Sequence, residues 1–135
     1  MTIMDFSALV LHEKPNQYLV CNADICPKAE AHREAPVFDM PAAALRAAWA
    51  KVVGNQPRTT LLESDDTQLA DEYVQRSALF RYPDFVSVRF VDLEQGGSTV
   101  AIYSRSKYGY SDLGVNQKRI DSWLDQLAKE VEGDA

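Results

Sequence analysis

FVSVRFVDLEQGGSTVAIYSRS, residues 85–106, decides the fold. In Phe85–Leu93, Val86, Val88 and Phe90 share one face while Ser87 and Arg89 take the other. That two-residue period predicts a strand with one face on a core. Glu94-Gln95-Gly96-Gly97 is a short, glycine-rich hairpin connection. Ser98–Ser106 predicts the next strand, with Val100 and Ile102 alternating against Thr99 and Tyr103. Strands joined by so short a turn run antiparallel.

Working outward, the segment that follows this hairpin becomes helical. Ile120, Trp123, Leu124, Leu127 and Val131 form one apolar stripe, and Ser111 or Asp112 stands where an N-cap belongs. On the N-terminal side, Thr59–Glu63 reads as a short strand, Ser64-Asp65-Asp66 as a turn and Gln68–Leu79 as a long strand ended by Tyr82-Pro83-Asp84. Before them, Leu45, Ala48, Trp49, Val52 and Val53 fall at helical spacing, with Asp39 as the expected cap, Pro41 in the first turn and Gly54 as the stop. Residues 1–38 lack periodicity and read as an irregular arm, with one strand at Gln17–Cys21, packed on a single domain at 39–135. The order α-β-β-β-β-α predicts an α+β fold: an antiparallel sheet of about four to five strands with two helices on one face.

The chain has 135 residues, 46% of them hydrophobic and 25% charged, which suits one soluble domain with a real core. No apolar run is long enough for a membrane helix, so no membrane insertion is expected. The opening MTIMDFSALVLHEKP has no basic stretch before its apolar residues, so it does not read as a signal peptide and the expected location is cytoplasmic. A formal net charge of −6 argues against nucleic acid as a partner. The charge is uneven, because Arg76, Arg81, Arg89, Arg105, Lys107, Lys118 and Arg119 outnumber Asp84, Asp92, Glu94 and Asp112 between positions 76 and 119. Cys21 and Cys26, flanked by His12 and His32, fall short of a zinc site, so no metal or other cofactor is expected. Without an oxidising compartment, two partly buried free thiols are the expectation.

Several polar residues occupy positions where apolar ones belong. Ser104 and Ser106 continue the Val100, Ile102 face, and Asn116 precedes Ile120 by one helical turn. Buried polar groups must find partners or cost about 1–3 kcal/mol each. A connected network among Arg76, Asp84, Ser104, Ser106, Asp112 and Asn116 is therefore expected at the strand-to-helix junction.

SRSKYGYSDLGVNQKRIDSWLDQL (104–127), with QPRT (56–59), YVQRSALFRYPD (73–84) and VSVRF (86–90), resembles a bacterial family catalogued as a domain of unknown function, number fourteen-ninety-nine in its series. The family's tail motif is close to SRSRYGYSDLGVNRKR followed by a Trp-Leu pair, and Lys107 and Gln117 mark mild departures. The resemblance covers roughly residues 37–127. It implies a shared fold and brings no activity. Some members carry export signals.

The expected function is a non-catalytic binding or scaffolding role, with the polar cluster mainly structural and a homo-oligomer or protein partner open. Tyr73, Phe80, Tyr82, Phe85 and Tyr103 include candidates for an exposed aromatic patch. The alternative is a small anionic-ligand pocket beside the last helix. Arg58, Arg76, Arg81, Arg105 and Arg119 would converge there with Asp84, Ser104, Ser106, Asp112 and Asn116, walled by Tyr108 and Tyr110. No catalytic residue is assigned: no G-x-S-x-G, HExxH or phosphate-binding glycine loop occurs, and both histidines lie in the arm. A hydrolase-type enzyme is the weakest alternative.

Overall fold

The computed structural model describes residues 2–133; Met1, Asp134 and Ala135 lie outside them. The secondary structure comprises β1 (Gln17–Val20), β2 (Val37–Phe38), α1 (Ala42–Gly54), β3 (Thr59–Asp65), β4 (Ala70–Arg76), β5 (Pro83–Asp92), β6 (Ser98–Ser106) and α2 (Val115–Gly133). The sheet runs β1-β6-β5-β4-β3, all antiparallel, with β2 also on β6. The fold is α+β with six strands, one or two more than the periodicity predicts. The extra pairing comes from the arm: β1 takes the Ile102–Arg105 edge of β6 and β2 takes Ser98–Thr99.

The hairpin of β5 and β6 forms as expected, and its register places Val86 opposite Ser104 and Val88 opposite Ile102. Its turn closes through Leu93 N to Gly97 O and Gly96 N to Leu93 O, both 3.0 Å. Gly97 is doubly constrained: its φ is +77°, and a Cβ there would lie 2.6 Å from Phe38 O. The turn can close beneath β2 only because this residue has no side chain.

Both helices lie on one face of the sheet. Leu45, Trp49, Val52, Ile120, Trp123, Leu124 and Leu127 are buried against Val86, Val88, Phe90, Val100 and Ile102. Trp49 sits edge-on to Phe90 at 6.2 Å and to Trp123 at 5.9 Å, arrangements that align ring edges with ring faces. The cap of α1 differs from expectation. Asp39 does not cap it; Asp92, fifty positions away on β5, accepts from Ala42 N at 2.8 Å. The strand bounds also shift. β3 takes in Ser64 and Asp65, because Asp65 Oδ1 accepts from Thr67 N and Gln68 N and moves the turn to the following residues. β4 ends at Arg76, where Ser77 N bonds to Tyr82 O and opens a loop.

The arm covers the other face. Phe6, Leu19, Cys21 and Cys26 are buried there with Ala101 and Tyr103 of β6. Cys21 and Cys26 form a disulfide, Cα to Cα 6.3 Å, so the expectation of free thiols is overturned. Sequence spacing alone says nothing of how the turn at 22–25 doubles back. In the fold, Ile25 N and Cys26 N both bond to Asn22 O and bring the sulfurs together.

Candidate functional site

The polar cluster is built around Asn116, in the first turn of α2 and fully buried. Its Oδ1 accepts from Ser104 Oγ at 2.6 Å and Arg119 Nη1 at 2.8 Å. Its Nδ2 has three acceptors for two hydrogens: Asp112 Oδ2 at 2.5 Å, Ser106 Oγ at 3.1 Å and Asn16 O at 3.1 Å. Arg119, one turn on, spends its whole fork inside the cluster. Nε donates to Gln75 Oε1 at 2.5 Å, Nη1 to Ser104 Oγ at 3.1 Å and Nη2 to Asp84 Oδ2 at 2.8 Å. Asp112 also caps α2, accepting from Gly114 N and Asn116 N. Leu113 and Gly114, both with positive φ, shape the turn into the helix.

Five of the six network residues named from sequence are brought together. Arg76 is not, and Arg119 supplies the cation instead. Both faces of β4 are buried over Ala70–Val74, so alternation does not reveal which face meets the helices. Register settles it: Gln75 lies opposite Asp84, and Arg76 points the other way, donating to Arg81 O from an exposed position. Asn16 and Gln75 escape sequence reasoning. Asn16 is 100 positions from Asn116 and sits in an arm with no period to read.

The five arginines do not converge. Arg105 lies on the arm face, its guanidinium 5.0 Å from the Tyr103 ring centre and 5.9 Å from that of Phe85. Its Nη1 donates to Ser87 Oγ at 2.6 Å, and Ser87 Oγ donates to Glu72 Oε1 at 2.5 Å. Glu72 Oε2 accepts from Met4 N at 3.1 Å, which ties the arm to β4. Burial pushes the Glu72 carboxyl above its ordinary range and pulls the Arg105 guanidinium below its own, opposed in each case by the other's charge. Arg58, Arg76 and Arg81 are exposed, and Arg58 Nε donates to Arg76 O.

A cleft of about 450 Å³ beside the start of α2 is lined by Tyr18, His32, Ser111, Asp112 and Gln117, and no arginine is among its lining residues. His32 Nδ1 accepts from Leu19 N, and desolvation lowers the pKa of this ring. Ser104 Oγ donates to an amide oxygen rather than to a base. Among the described residues, no group of three or more His, Cys, Asp or Glu is placed to hold a metal ion.

At the same end of the sheet, two loops carry exposed apolar side chains. Leu79, Phe80 and Tyr82 follow β4; Tyr108, Tyr110 and Leu113 follow β6. Phe80 stacks on Tyr82 at 5.5 Å, and Tyr82 meets Tyr108 edge-on at 6.1 Å. Of the aromatic candidates, Tyr73 and Tyr103 are core, Phe85 is half-buried, and Phe80 and Tyr82 are exposed.

Fold and cluster together define an α+β domain whose sheet-to-helix junction is locked by a buried Asn–Arg–Asp network. The chain belongs to the family described as protein of unknown function (DUF1499), whose sequence profile matches residues 11–127. The match begins well before residue 37 and takes in both arm strands. No curated protein matches. A solved structure of a Nitrosospira multiformis protein is similar at 12% identity, covering 73% of this chain and 90% of that one, with a TM-score of 0.49. No helix among the described residues is long and apolar enough to cross a membrane.

Proposed function

We propose that this domain is a non-catalytic binding module in which the Asn116–Arg119 cluster orders the fold and the exposed loop end makes the contact. The observation that carries this is a division of labour. The cluster's side chains bond one another, while a few residues away Leu79 is 80% exposed, Phe80 67%, Tyr110 68% and Leu113 88%. Apolar side chains so exposed, on two loops that meet through the Tyr82–Tyr108 ring contact, mark an interaction surface. Backbone conformation points the same way. Of the four non-glycine residues with positive φ among the described residues, three (Arg58, Arg81 and Leu113) lie at this end, and strain of this kind collects where function demands it.

A stability comparison tests this reading. Phe80→Ser, Tyr110→Ser and Leu113→Gly should leave the melting temperature unchanged or raise it, since these side chains serve a partner and not the core. A loss above about 1 kcal/mol from these changes would assign the patch to the fold and end the reading. A different feature bears on the compartment. A buried Cys21–Cys26 disulfide persists in an oxidising environment, which weighs against the cytoplasmic expectation.

A further inference from the structure

We propose that the loop end docks on an anionic phospholipid membrane surface, lying on it without crossing it. The inference rests on the binding-module reading above and names its partner.

The occupant is argued from charge and shape. Arg58, Arg76, Arg81 and Lys107 are all exposed around the aromatic tips. Among the described residues none of the four is paired with a carboxylate: Arg58 and Arg76 donate to backbone carbonyls, and Lys107 Nζ lies 5.5 Å from the Tyr108 ring centre. Of the carboxylates on these segments, Asp84 is paired with Arg119, while Asp112 is hydrogen-bonded at the α2 cap and keeps its charge. Four cations against the one unneutralised carboxylate of Asp112 leave this end net positive on a protein whose formal net charge is −6. An anionic surface attracts that end and repels the rest, which fixes an orientation.

The apolar groups suit a lipid interface. Leu79 with Phe80 on one loop and Tyr110 with Leu113 on the other are mostly exposed. Between the loops, Tyr82 and Tyr108 line a cleft of about 530 Å³. Tyrosine favours the headgroup level, with its ring in the apolar layer and its hydroxyl in water, while Leu and Phe reach deeper. A second copy of the protein fits less well, because a symmetric contact through this patch would bring its own cations face to face.

The test is co-sedimentation of the full chain with vesicles of phosphatidylcholine alone or with about 30% phosphatidylglycerol, in about 0.1 M salt. Binding should need the anionic lipid and fall steeply at about 0.5 M salt. Arg81→Glu and Lys107→Glu should each weaken it by about fivefold or more. Phe80→Ser with Leu113→Gly should weaken it by about tenfold while the fold melts as before. No binding to anionic vesicles, or binding unaffected by Phe80→Ser with Leu113→Gly, overturns the proposal. So does concentration-dependent dimerisation that these same changes abolish, which would make the occupant a second copy. If the changes prove neutral to stability yet vesicles do not bind, lipid is the wrong partner and the binding-module reading stands. If they unfold the protein, that reading itself fails.

Discussion

Arg119 Nη2 lies 2.8 Å from Asp84 Oδ2, and this ion pair ties the second turn of α2 to the start of β5. The two side chains are 9% and 14% exposed. The same guanidinium bonds Gln75 and Ser104, so β4, β5, β6 and α2 meet on one residue. Asn116 completes the junction by reaching the arm at Asn16.

Asn116→Leu keeps the side chain's approximate volume and removes its hydrogen bonds. It leaves Ser104 Oγ without the acceptor it uses and deprives Asp112 and Arg119 of a partner. The expected loss is about 2–4 kcal/mol, read from urea unfolding. Because α2 depends on this anchor, hydrogen exchange should quicken first in its opening turns.

Gly97→Ala should cost about 2 kcal/mol or more, since the new methyl would meet Phe38 O at 2.6 Å in a backbone conformation alanine avoids. Gly109 provides the control. Its φ is +86° but nothing lies within 4 Å of its Cβ position. Gly109→Ala should cost about 1 kcal/mol, from conformation alone. Equal melting temperatures for the two variants would remove β2 from the account of this turn.

Glu72 makes an acid-side prediction. Burial holds its folded pKa above the ordinary 4.5. A raised folded value means the native state binds the proton more tightly than the unfolded chain. This contribution is therefore fully present below the unfolded pKa and is lost as pH rises through the folded one. The stability difference between wild type and Glu72→Gln should shift toward wild type as pH falls from about 7 to 4.5. A difference that stays flat, or shifts the other way, would mean that the hydrogen bonds from Met4 N and Ser87 Oγ and the charge of Arg105 offset the burial of this carboxyl.

Reducing the Cys21–Cys26 bond should cost about 2 kcal/mol by the loop-entropy estimate, because the loop it closes is short. The loss should fall on the arm. Tyr103, packed beneath it, offers a local near-ultraviolet signal that should change while the helix signal holds. Full unfolding on reduction would show instead that the arm nucleates the sheet.

Much of the fold is legible because it is local. Alternation and a glycine pair mark the β5–β6 hairpin, and one apolar stripe marks α2. What escapes is long-range. Asp92 caps α1 across fifty positions, and both strands of the arm pair with the distant β6. The polar cluster is legible where strand and helix periods converge, at Ser104, Ser106, Asp112 and Asn116. Its cation is not, because a strand buried on both faces hides which face is which. Tyr108 and Tyr110 stand out by composition. Leu79 and Leu113, in loops without a period, are found only by their exposure.

The central claim is that Arg119 holds the fold together while Arg76 is free for a partner. Urea unfolding of Arg119→Met and Arg76→Ala, measured side by side, tests it most directly. Arg119→Met should lose about 3 kcal/mol, leaving Asp84 partly buried and unpaired, and Arg76→Ala should stay within about 0.5 kcal/mol of wild type. A near-neutral Arg119→Met, or a loss at Arg76 as large as that at Arg119, would contradict it.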